Sequence, residues 1–209
     1  QDCIARYRDT IPELAEFAGP SATDSLTSLI ERYEQCYPLL ENALWSDKWP
    51  GESDFEALLD CYQSLFREQD GLIRQKEKAD GAPDERHHFI LCIPVADRPA
   101  HLRACLESIY QVCKCYGYGG IESGVYDRIR IIVAEDSCAA HNVRQHMELV
   151  EEYRRKGLQV IHFGQDEQYE LLQSIPGKSR KKLGNILSTR PRDRFYLKGQ
   201  AANRNIGYL

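Results

Sequence analysis

"HFILCIPVADRPAHLRACLESI", His88 to Ile109, is the stretch on which the fold turns. Its first half is a continuous apolar run ended by Pro94, the composition of a strand buried on both faces of a parallel sheet. Its second half starts with Pro99, whose fixed φ suits a first helical turn. Leu102, Cys105, Leu106, Ile109 and, just beyond, Val112 then recur on one helical face. Strand followed directly by helix is the opening of a βαβ unit.

Working outward, the pattern repeats. "RIRIIVAEDS" (128–137) reads as a second strand, "AHNVRQHMELVEEYRRKG" (140–157) as a second helix ending at Gly157, and "LQVIHFG" (158–164) as a third, short strand. Phe89–Pro94, Arg130–Ala134 and Val160–Phe163 are thus expected as neighbouring parallel strands of a doubly wound, mainly parallel α/β sheet.

Upstream the pattern differs. "SLTSLIERYEQCYPLL" (25–40) places Leu26, Leu29, Ile30, Tyr33 and Tyr37 at helical spacing, with Asp24 as a cap. "SDFEALLDCYQSLFREQDGLI" (53–73) places Phe55, Leu58, Leu59, Tyr62, Leu65 and Phe66 on one stripe, with Ser53 or Asp54 as the cap. "WSDKWPGES" between them signals a turn. These stripes are packing faces, or a surface on which another domain or subunit docks. The expected organisation is a helical region at 1–80, a polar linker at 81–87 and a ligand-binding domain at 88–209.

Charge follows the same division. The 209 residues carry a formal net charge of −5, which argues against general nucleic-acid binding. Residues 1–80 hold 8 Lys/Arg against 17 Asp/Glu, and the remainder 19 against 15, so the first region is acidic and the second basic. No run approaches the roughly 20 apolar residues of a membrane span. The eight cysteines are scattered, and Cys92 and Cys105 lie in apolar contexts that suit buried thiols. "CKC" (113–115) lacks a second Cys/His pair at zinc spacing. On these grounds we read a reduced, cytoplasmic protein.

Ligands of open α/β sheets bind beyond the carboxyl ends of the strands. The first strand ends in "PVADR", Pro94, Val95, Ala96, Asp97 and Arg98; the second ends in Glu135, Asp136 and Ser137. A carboxylate there accepts hydrogen bonds from a nucleobase N–H or ribose hydroxyls; equally, Asp136 or Ser137 caps the following helix. Both readings stay open. The Gly-rich loop "YGYGGIESG" (116–124) precedes a strand instead of following one, so it is no dinucleotide fingerprint. "GKS" at 177–179 fails as a P-loop, because Leu172 stands where that motif needs glycine.

From Lys178 to Arg204 there are nine cations and a single acid, Asp193. A solvated basic face explains such a run, as does a bound diphosphate. The chain then closes on "KGQAANRNIGYL" (198–209), where small residues precede Arg204 and Asn205 at what reads as a helix start. Arg204 can fork onto phosphate oxygens there.

Taken in order, "ILCIPVADRPAHLRACLESI", "RIRIIVAEDSCAAHN" and "KGQAANRNIGYL" resemble the front half of a family 2-type glycosyltransferase of the GT-A, Rossmann-like fold, over roughly residues 88–209. The resemblance implies transfer from a nucleotide-diphosphate sugar, a UDP-sugar first, to a carbohydrate or other hydroxyl acceptor. Pro94 to Arg98 would line the base and ribose pocket, with Glu135 and Ser137 beside it. Asp136 matches the family acid that contacts the base. Arg204 and Asn205 match the turn that braces the nucleotide, and Lys198 lies where it meets the diphosphate. Asn203 stands where the family usually has alanine. The family's metal-binding D-x-D motif follows the Arg-Asn helix, beyond Leu209, so the Mg or Mn ion expected for the full domain has no ligands here. The expectation is therefore the donor-binding half of a catalytic domain. The alternative is a non-catalytic nucleotide-binding or scaffolding module with a degenerate GT-A fold.

Overall fold

The computed structural model describes residues 2–7, 9–17, 24–46, 51–84, 86–118, 124–180 and 182. The chain divides into two compact units, Gln1–Arg86 and His87–Leu209.

The first unit is helical: α1 (Asp2–Tyr7), a 3-10 turn (Pro12–Glu16), α2 (Leu26–Leu44) and α3 (Glu52–Asp80). Tyr7, Ile11, Leu14, Cys36, Leu40, Leu58, Cys61 and Leu65 make its core. The caps differ from those expected. Ser25, not Asp24, caps α2, its Oγ accepting from Ser28 N–H at 3.1 Å, while Asp24 forks onto Arg32. Gly51 precedes α3 without a side-chain cap, in place of Ser53 or Asp54. α3 ends at Gly81, whose φ of 64° is the left-handed conformation that glycine adopts without strain.

After α3 the chain folds back. Arg86 reaches Asp70 at 2.5 Å, Asp84 at 2.8 Å and Glu77 at 3.0 Å, tying the segment read as a linker to the helix it leaves. The reading of every cysteine as reduced is corrected at Cys61, which is disulfide-bonded. Disulfides belong to oxidising compartments, so the cysteines no longer argue for the cytoplasm. Among the described residues no helix is long and apolar enough to cross a membrane.

The second unit is α/β. Strands β1 (Phe89–Val95), β2 (Tyr126–Glu135) and β3 (Leu158–Phe163) form a parallel sheet in the order β1-β2-β3, with Phe89 opposite Ile129 and Val133 opposite His162. Helices α4 (Pro99–Tyr116) and α5 (Ala140–Arg155) cross between the strands, and α6 (Gln165–Ser174) follows β3. The core joins Leu102, Leu106 and Cys113 of α4 and Leu149, Val150 and Tyr153 of α5 to Ile129, Ile131 and Val133 of β2 and Leu158 and Val160 of β3. Both crossovers thus bring their helices to one face, as right-handed connections advancing in one direction do.

Two expectations change. Among the described residues the strand order never reverses and both crossover helices share one face, so the sheet shown is α/β and parallel but not doubly wound. β1 is also not buried throughout: Ile90 on the opposite face is 67% exposed, and Ile161 on β3 is 42% exposed. On α4 the buried stripe runs through Cys113, while Val112 lies outside it and is exposed.

Candidate functional site at the strand ends

β1 and β2 are adjacent and parallel, so "PVADR" and "EDS" emerge at the same edge of the sheet. Asp136 N–H donates to Val95 O at 2.9 Å, and Asp97 N–H donates to Ser137 Oγ at 2.8 Å. Ala96, Asp97 and Arg98 are exposed at this edge, whereas Glu135, Asp136 and Ser137 are buried.

Asp97 turns the chain from β1 into α4 with φ of 51°, a left-handed conformation that aspartate tolerates better than most residues. Its carboxylate is committed to α5. Oδ1 accepts from Ala139 N–H and Asn142 Nδ2, and Oδ2 from Cys138 N–H, each at 3.0 Å. The Asn142 bond, then those from Cys138 and Ala139, pull the Asp97 carboxyl down to about 2. The cap of α5 thus comes from the neighbouring strand end, not from Asp136 or Ser137. Asp97, expected against base and ribose, spends both oxygens on the helix.

Glu135 is likewise enclosed, at 1% exposure. Oε1 accepts from Ser137 N–H at 2.9 Å. Oε2 lies 2.8 Å from His146 Nδ1 and 3.2 Å from His162 Nε2. Burial alone would raise this carboxyl, but the bonds from His146, His162 and Ser137 outweigh it and hold Glu135 well below the ordinary carboxylate range. Gln168 of α6 completes the enclosure, donating from Nε2 to Glu135 O at 3.0 Å and Phe163 O at 2.7 Å. Glu135 therefore faces two imidazoles instead of the pocket expected for it.

His146 is wholly buried, and its Nε2 has no hydrogen-bond partner among the described residues. Neither histidine was singled out from the sequence. The signal was available: His146, Leu149, Val150 and Tyr153 are the buried positions of α5, so an imidazole stands first in an otherwise apolar stripe.

Asp136, 5% exposed, lies at the junction of the two strand ends and has protein contacts of its own, with the exposed turn from Ala96 to Arg98 beside it. Arg98 precedes α4, and its carbonyl accepts the N–H of Leu102. Pro94 and Val95 are the last residues of β1, paired with Ala134 and Glu135. Lys198, Arg204 and Asn205 lie outside the described residues. Of the basic run, Lys178, Arg180 and Lys182 are described; both lysines are exposed, and the Arg180 guanidinium bonds Gln173. No group of three His, Cys, Asp or Glu among the described residues could hold a metal ion.

The chain matches no protein family, no curated protein and no solved structure.

Proposed function

We propose that the shared carboxyl edge of β1 and β2 is the base-and-ribose end of a nucleotide site. The protein would then be a glycosyltransferase, using a nucleotide-diphosphate sugar, a UDP-sugar first, on a hydroxyl acceptor. The observation that supports this reading best is the meeting of "PVADR" with Glu135-Asp136-Ser137, segments about forty residues apart, at the edge where open parallel sheets bind ligands. Asp136 is an acceptor suited to the imide N–H of uracil or to ribose hydroxyls. Diphosphate contacts from Lys198, Arg204 and Asn205 belong to the same proposal. The described residues do not fit the divalent ion that the resemblance implies, since they offer no ligand set for it.

A specific observation favours the alternative, a non-catalytic nucleotide-binding module. The Asp97 and Glu135 carboxylates at the strand ends are occupied by protein groups. Incubation of the chain with UDP-sugars and simple hydroxyl acceptors separates the two readings. Release of UDP with sugar transfer supports the enzyme; saturable UDP binding without turnover supports the module; neither binding nor turnover removes both.

A further inference from the structure

The bonds at the strand ends close into a ring. From α5, His146 holds Glu135 Oε2; Glu135 Oε1 holds Ser137 N–H; Ser137 Oγ holds Asp97 N–H; and the Asp97 carboxylate returns to α5 at Ala139 and Asn142. Asn142 and His146 are four apart, on one face of the helix, so α5 clamps both strand ends at once. Asp136 lies between Glu135 and Ser137, the two residues that the ring holds at the end of β2.

Packing alone does not call for this ring. Position 146 belongs to the stripe filled further along by Leu149, Val150 and Tyr153, and a leucine there would suit burial. A buried carboxylate–imidazole pair is often no more stabilising than apolar side chains of similar volume. Here one imidazole nitrogen also has no partner among the described residues, which adds a cost. What the polar ring supplies, and leucine would not, is direction: each bond fixes where a strand end points.

We infer that His146 is a positioning residue for the crevice, setting through Glu135 and Ser137 the orientation in which Asp136 and the Asp97 turn meet a ligand. The inference rests on the nucleotide reading for the identity of that ligand. His162 makes a second, longer contact to the same Glu135 oxygen, so it supports the carboxylate without closing the ring.

The test compares His146→Leu, which fits the stripe but donates nothing, with His146→Asn, which keeps a donor near the place of Nδ1. Amide hydrogen exchange at Asp97, Ser137, Cys138 and Ala139 and titration with UDP are read on the intact chain, alongside thermal melting. In His146→Leu, which leaves the buried Glu135 carboxylate without its nearer imidazole, the melting temperature should fall, exchange at those four amides should speed up by more than the global loss of stability accounts for, and UDP affinity should fall by roughly three- to thirtyfold, the range for residues acting through a coupled network. His146→Asn should restore both. Exchange at the four amides that is unchanged in His146→Leu, or that rises only in step with a global loss of stability, overturns the inference. If His146→Leu does not fold, Glu135→Gln, which keeps the side-chain shape and removes the charge, decides by the same two readouts. Failure of the wild type to bind UDP would sink the nucleotide reading alone, and exchange would still decide the ring.

Discussion

The backbone N–H of Asp97 lies 2.8 Å from Ser137 Oγ, joining the ends of two strands that the chain visits about forty residues apart. Each of these residues also serves a second partner. Ser137 N–H is held by Glu135, and the Asp97 carboxylate holds the Cys138 and Ala139 amides that lead into α5. The edge of the sheet is therefore built as a unit with the helix that follows it.

This makes the Asp97 contribution dependent on pH in a definite direction. Its carboxyl is depressed in the folded protein, to about 2 from an ordinary 3.8. The stabilisation is whole above the ordinary value and fades as pH falls through the folded one. Asp97→Asn should be less stable than wild type in urea at pH 6, and the gap should narrow between about pH 4 and pH 2. A gap independent of pH would mean that the charge is not what α5 uses.

Gly157 joins α5 to β3 at φ of 97°, and a Cβ there would lie 2.5 Å from Gly124 O. Both the conformation and the backbone contact exclude a side chain. Gly157→Ala should cost about 1–3 kcal/mol, measured by denaturant unfolding. A neutral result would show that the α5–β3 connection is wrongly placed.

On α4, Leu106 is completely buried and Val112 is half exposed. Leu106→Ala should lose about 2–5 kcal/mol, while Val112→Ala should stay within about 0.5 kcal/mol of wild type. Equal losses at the two positions would contradict the face that α4 presents to the sheet.

That pair also shows how far the sequence could be read. The stripe expected from Leu102, Cys105, Leu106, Ile109 and Val112 and the one observed, Leu102, Leu106 and Cys113, coincide at the start and part at the end. At about 100° per residue, Cys113 falls within about 20° of Leu102 while Val112 falls about 80° to the other side, so the stripe's far edge is exposed. The three strands were legible because apolar runs bounded by helical periods have few other readings. The ring was not, because hydrogen bonds between side chains distant in sequence leave no period. His146 looked like one polar residue of a charged helix, and the caps on α2 and α5 depended on which of several adjacent acceptors the chain direction favoured.

Arg86 provides a test in the first unit. Its guanidinium, mostly buried, bridges Asp70, Glu77 and Asp84. Arg86→Ala would leave three carboxylates close together without their shared cation. The loss should be roughly 1–3 kcal/mol, smaller in high salt because screening relieves the remaining repulsion. Amide exchange near the end of α3 should speed up with it. Unchanged exchange from Glu77 to Gly81 would mean that the fold-back does not secure the helix end.

The account depends most on Asp136. Calorimetric titration of UDP, CDP, ADP and GDP into wild type and Asp136→Asn measures its role directly. UDP should bind the wild type best, and Asp136→Asn should weaken UDP by roughly tenfold or more, the scale of one charge-assisted hydrogen bond, while compressing the differences among bases. Binding of none of the four to the wild type, or the same affinities in both proteins, would contradict the assignment of this edge as a nucleotide site.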